Sequence, residues 1–114
     1  MRFSHIIATK ERPELLQSAL AVLVATLPPD GEIIVVDGDP ARSGQAVVKE
    51  IEGLHGGRPI RYIDGVTGTC GQRNAGIDAA EGDVVIFTDD DCTPADGFYD
   101  ALAAAYQDLS LIHI

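Results

Sequence analysis

Four short apolar runs punctuate this chain, and a stretch of helical character follows each of them. The runs are FSHIIAT (Phe3–Thr9), EIIVVDG (Glu32–Gly38), PIRYIDG (Pro59–Gly65) and DVVIFTD (Asp83–Asp89). Brief runs rich in β-branched residues and bounded by Gly, Pro and Asp fit strands. The first intervening segment, Arg12–Leu27, carries Pro13 where a first helical turn accepts it, and Pro28-Pro29 stops it. Val47, Val48, Ile51 and Leu54 recur at helical spacing within Ala41–Gly57. Thr69–Gly82 predicts a third helix. Pro94–Tyr106 predicts a fourth, with Phe98, Leu102 and Tyr106 along one side. Such alternation predicts an α/β fold, an open, mainly parallel three-layer α/β/α sheet; the order 3-2-1-4 with right-handed crossovers is expected for it. The continuous apolar character of IIVV and VVIF fits strands covered on both faces.

Composition narrows the partners. A chain of 114 residues makes one domain, and burial of roughly two-thirds of the unfolded surface is expected at that size. Eighteen acids against eight bases, net charge −10, argue against nucleic acid, which needs a basic footprint. Cys70 and Cys92 form no CxxC and have no histidine at ligand spacing, so no zinc site is expected. His5, His55 and His113 are scattered, as structural or surface residues would be. The start MRFSHIIATKERP lacks a signal-peptide pattern, which points to the reducing cytoplasm. The segment Leu15–Leu27 is shorter than the ~20 apolar residues of a membrane crossing.

Polar residues gather where the strands end. Thr9, Lys10 and Glu11 follow the first strand, Asp37 and Asp39 the second, Asp64 the third and Asp89 to Asp91 the fourth. Ligands of open α/β sheets bind at the carboxyl ends of the strands, near a switch in strand order. A functional edge is therefore expected there.

Two motifs on that edge bear chemistry. Asp89 and Asp91 are two apart, and on an extended backbone their carboxylates leave on one side. Two hard oxygen ligands suit Mg2+ or Mn2+, with water and phosphate completing the shell; an ordinary solvated acidic loop is the competing interpretation. A bound divalent ion would also reverse the local sign that otherwise repels an anionic substrate. In GTCGQRNAG (Gly68–Gly76), Thr69 is placed to cap a helix whose N-terminus attracts anions, and Arg73 offers a fork for phosphate. Helix–sheet packing explains the same glycines equally well. Neither GxxxxGK[ST] nor GxGxxG is present.

Taken in order, HIIATKERPELL, EIIVVDGDP and GQRNAGIDAAEGDVVIFTDDDCTP resemble the amino-terminal half of a family 2 glycosyltransferase of the GT-A fold. The resemblance spans about residues 3 to 106. It implies a site for a nucleotide-diphosphate sugar donor. Thr9, Glu11 and Asp37 match the positions that contact base and ribose. Arg73 and Asn74 match an Arg-Asn pair beside the donor. Asp89 and Asp91 match a DXD motif whose second acid ligates Mn2+ or Mg2+, with Asp89 and Asp90 beside the donor. Cys92 stands where members often carry another acid or polar residue, and it is given no ligand role.

In this family the acceptor site and the catalytic base lie further along the chain. The acceptor, a glycan or lipid, and the base are thus not expected here, and the complete enzyme could work at the inner face of the membrane. The last six residues, LSLIHI, resemble translated adapter sequence. The expected organisation is a partial domain over 1–108 followed by a non-native tail over 109–114. Two other functions compete: a sugar nucleotidyltransferase, whose Gly-rich loop after the first strand is missing from ATKERPELL, and a non-catalytic nucleotide-binding fragment.

Overall fold

The alternation of runs is realised as a four-stranded sheet flanked by helices. The computed structural model describes residues 2–54 and 58–107. In chain order these form β1 (Phe3–Thr9), α1 (Pro13–Thr26), β2 (Glu32–Asp37), α2 (Ser43–Leu54), β3 (Ile60–Ile63), α3 (Thr69–Ala79), β4 (Val84–Asp89) and α4 (Phe98–Gln107). The sheet runs β3-β2-β1-β4 with every pairing parallel, as expected. The expected tail at 109–114, His55 and His113 lie outside the described residues. No described helix is long and apolar enough to cross a membrane.

Register decides which side chains meet. Thr9 pairs with Asp37 and Ala8 with Asp89, so the carboxyl ends of β1, β2 and β4 come level. Phe3, Ile7, Ile33 and Val35 face the larger core, with Leu16, Leu20 and Leu23 of α1 and Val47, Val48 and Ile51 of α2. Ile6, Ile34 and Val36 face the other way and meet Ala75 and Ala79 of α3. The continuous apolar run of β2 thus reflects cover on both faces, whereas in β4 the expectation fails: Val85 and Phe87 are exposed on one face, which no described helix covers.

The small residues of α3 let it lie close to the sheet. A Cβ built on Gly76 would stand 2.6 Å from Cγ2 of Ile6, which is 1% exposed and has no room to turn away. Gly76→Val is expected to lower stability by about 2–3 kcal/mol through overpacking. Urea unfolding followed by circular dichroism checks this, and a variant as stable as the parent would refute the close approach.

Two helix boundaries differ from expectation. α3 ends at Ala79 rather than Gly82, because the next backbone N–H groups are taken up elsewhere: Glu81 donates to the Glu32 carboxylate and Gly82 to Ser4 Oγ. α4 starts at Phe98 rather than near Pro94. Gly97 has φ 76°, outside the helical region, and Phe98 N–H closes a turn onto Ala95 O. The consequence is that, among the described side chains of α4, Tyr99 is the buried one, while Phe98, Leu102 and Tyr106 pack partly buried against the core.

His5 is one of the structural histidines. It is 0% exposed on β1, with Nε2 2.8 Å from Thr88 Oγ1 and Nδ1 2.7 Å from Tyr99 Oη. Burial pushes its pKa down to about 4, so the ring is neutral at physiological pH.

Candidate functional site

At the carboxyl ends of β1 and β4 lies an open cavity of about 670 Å³. One wall is Asp89, Asp90 and Asp91. The other is the bend of Lys10, Glu11 and Arg12 together with Thr69 at the start of α3. Asp37 and Asp89 therefore stand at one end of the sheet, as its order requires.

The three acids differ from one another. β4 ends at Asp89, and Cys92 N–H bonds back to Asp89 O at 3.1 Å, so Asp90 and Asp91 sit in a turn. The alternation expected of an extended backbone stops there. Asp89 and Asp91 are nevertheless both exposed and both line the cavity, while Asp90 between them is 5% exposed. Asp90 Oδ2 accepts from Thr9 Oγ1 at 3.0 Å, and its Oδ1 faces Arg12 Nη1 at 3.3 Å. Both of its oxygens are engaged within the protein.

Asp37 is also turned inward. It is 0% exposed; Oδ1 accepts from Asp39 N–H, and Oδ2 accepts from Gly44 N–H and from Tyr62 Oη at 2.7 Å. The carboxylate thus serves the N-terminal turn of α2, where a negative charge is favoured. Burial and the bond to Asp37 push the Tyr62 hydroxyl up from its ordinary pKa. Asp39 is similarly occupied: the Ser43 hydroxyl and the Ala41 N–H hold its carboxyl below the ordinary value.

The remaining expected residues fall in different places. Thr9 is buried beneath the cavity and donates to Asp90, whereas Glu11 is exposed at the mouth with φ 56°. Arg73 lies with its guanidinium 5.9 Å from the Phe87 ring centroid and shares a smaller cavity of about 190 Å³ with Asp89 and Cys92. Asn74 is exposed on α3 and lines neither cavity. Thr69 does not cap α3: it is the first helical residue, and the cap position is Gly68 at φ 88° with no side-chain cap bond.

Two participants were missed in the sequence. Gln72 is 8% exposed, and its Nε2 donates to Thr9 O at 3.1 Å and Val36 O at 3.0 Å, tying α3 to the ends of β1 and β2. Its place in the first turn of α3, just after Gly68 and Gly71, was the available signal. Arg12 was obscured by its role as the residue before the helix-starting Pro13.

Divalent-ion binding can be weighed on the donor set alone. Among the described residues no group of three or more His, Cys, Asp and Glu is placed to hold a metal ion. Asp89 and Asp91 are exposed hard oxygen donors beside open space, which fits an ion that takes its other ligands from water and phosphate. Cys92 Sγ lies 3.5 Å from Asp91 Oδ1, and that contact and the Asp91 charge push the thiol up, so it stays protonated.

Residues 4–112 match the family model of glycosyl transferase family 2. Among solved structures, the mannosyltransferase PcManGT from Pyrobaculum calidifontis, in complex with GDP-Man and Mn2+, is 24% identical with a TM-score of 0.77. That match covers 95% of this chain and 32% of that one. S. aureus TarS 1-349 is 24% identical with a TM-score of 0.77, over 96% of this chain and 33% of that chain. The same TarS segment in complex with UDP-GlcNAc is 23% identical with a TM-score of 0.76, over 96% and 32%. This likeness establishes the fold, and the chain spans about a third of the length of those structures. No curated protein matches the sequence.

Proposed function

Because the chain belongs to glycosyl transferase family 2, we propose that it forms the donor-binding part of an enzyme that moves a sugar from a nucleotide-diphosphate sugar to an acceptor hydroxyl. One observation carries this: an open cavity at the switch between β1 and β4, with exposed Asp89 and Asp91 facing the Lys10–Arg12 bend. The complexes of PcManGT with GDP-Man and Mn2+ and of TarS with UDP-GlcNAc support it from proteins of the same fold. Family membership sets aside the nucleotidyltransferase alternative.

On this proposal Asp91, assisted by Asp89, would hold Mn2+ or Mg2+. The ion would neutralise the diphosphate leaving group in a protein of charge −10. Glu11 would meet the base or ribose at the mouth, and Arg73 would approach the diphosphate from the side of Asp89. Asn74, the next residue on α3, would stand beside the donor with Arg73. Thr9, Asp37 and Asp90 would act from below by holding the surrounding loops. The acceptor, a glycan or lipid, and the base that deprotonates it would engage the part of the enzyme that has no counterpart in these residues. A cytoplasmic location, at the inner face of the membrane for the whole enzyme, completes the proposal.

The test is calorimetric titration of uridine and guanosine diphosphates into the chain, with and without Mn2+. Ion and nucleotide should each raise the other's affinity by one shared factor, about tenfold or more, and Asp91→Ala should remove the enhancement. Equal binding with and without Mn2+ in both proteins would reduce the acids to a solvated loop.

A further inference from the structure

We propose that Asp90 is a positioning residue: its single buried carboxylate clamps both ends of the strained Lys10–Glu11 bend and so shapes the mouth of the cavity. This rests on the donor-site proposal above for its consequence, though not for its geometry.

Three observations converge on it. Asp90 is held away from solvent while its neighbours Asp89 and Asp91 are exposed; the Asp90 side chain is 4% exposed where that of Arg12 is 56% exposed. Its two oxygens serve opposite ends of one short segment. Oδ2 takes the Thr9 hydroxyl, at the last residue of β1, and Oδ1 faces the Arg12 guanidinium, just before α1. Between those anchors Glu11 adopts φ 56°, a left-handed conformation that a residue with a Cβ disfavours. Such a conformation persists where its surroundings over-determine it.

The anchors themselves are fixed. Thr9 O accepts from Gly38 N–H at 2.9 Å and from Gln72 Nε2 at 3.1 Å. Arg12 O accepts the Leu16 N–H that opens α1, at 3.0 Å. Lys10 and Glu11 are thus a two-residue bridge between rigid posts, and both line the cavity. A carboxylate on β4 joining those posts also couples the wall that carries Asp89 and Asp91 to the wall that carries Glu11. With both oxygens bonded within the protein and its side chain 4% exposed, Asp90 presents little open surface to an ion.

The experiment compares the parent with Asp90→Asn, Thr9→Val and Thr9→Ser, each shown to keep the β1 amide shifts. The first readout is backbone 15N relaxation without ligand. Order parameters at Lys10 and Glu11 should fall from roughly 0.85 to below about 0.6 in Asp90→Asn and Thr9→Val. Thr9→Ser, which keeps the hydroxyl, should restore them. The second readout is titration of uridine and guanosine diphosphates. Affinity should drop about tenfold in Asp90→Asn, by the same factor with and without Mn2+, so that the gain from Mn2+ survives. Loss of that gain would make Asp90 a metal ligand and overturn the proposal. Unchanged order parameters in both Asp90→Asn and Thr9→Val would overturn it as well. A parent that binds no nucleotide would sink the donor-site proposal, while the relaxation comparison would still decide this one.

Discussion

Asp37→Ala should cost the fold about 3–5 kcal/mol. The reason is the number of donors left behind. Asp37 accepts from Asp39 N–H, Gly44 N–H and Tyr62 Oη while fully buried. Each orphaned donor costs about 1–3 kcal/mol where water is shut out. The three donors belong to the β2–α2 loop, the first turn of α2 and β3, so the loss should loosen that whole side of the sheet. Alanine also removes one of the two carboxylates, Asp37 and Asp39, at the N-terminal turn of α2. Asp37→Asn keeps one acceptor oxygen and should cost less, about 1–3 kcal/mol. Urea midpoints for the parent and both variants provide the measurement. Unchanged stability in Asp37→Ala would show that the carboxylate is spare and free to face a nucleotide base.

That inward turn of Asp37 illustrates what was legible in the sequence. Parallel pairing and the shared edge follow from four β-branched runs alternating with helical ones, each ending in polar residues, whereas the order 3-2-1-4 is one of several that this alternation permits. Spacing along the chain records these directly, because a strand and the loop after it are local. The direction of an acid at the strand end is not local. Asp37 points inward because Tyr62 of β3 and Gly44 of α2 reach it, and no spacing within EIIVVDG records either contact. Asp90 gives the same lesson at the other end of the edge. Three consecutive aspartates look alike in sequence, but the turn after Asp89 drops the middle one between Thr9 and Arg12. In α4, Phe98 and Tyr99 differ by one position of helical phase. Only the turn closed onto Ala95 O and the hydroxyl bond to His5 select Tyr99 for the interior.

The contact between His5 and Tyr99 leads to an acid-sensitivity of the fold. His5 titrates near the ordinary histidine value of roughly 6.5 when unfolded, and at about 4 when folded. Between those values the unfolded chain binds the proton and the folded one does not. The unfolded state therefore gains as pH falls, and stability that is fully present above pH ~6.5 declines toward pH 4. The full difference is worth about 3 kcal/mol. Structure supplies the cause. The neutral ring can donate to one hydroxyl and accept from the other, from Thr88 Oγ1 on one side and Tyr99 Oη on the other. A protonated ring would donate to both, and one buried hydroxyl hydrogen would lose its acceptor while a charge entered the core. The acids with lowered values act at lower pH. Glu32, whose burial alone would raise it, is held below its ordinary value of 4.5 by Ser4, the Glu81 N–H and Arg61, so its contribution begins to be lost only at the low end of the His5 window. Urea unfolding at pH 7.5, 6.5, 5.5 and 4.5 should show midpoints nearly level from 7.5 to 6.5 and falling below that in the parent. His5→Gln, which retains polar atoms but no titration, should flatten that slope even if it is less stable throughout. A parent with level midpoints across the range, or an equal slope in His5→Gln, would mean that the proton lands elsewhere.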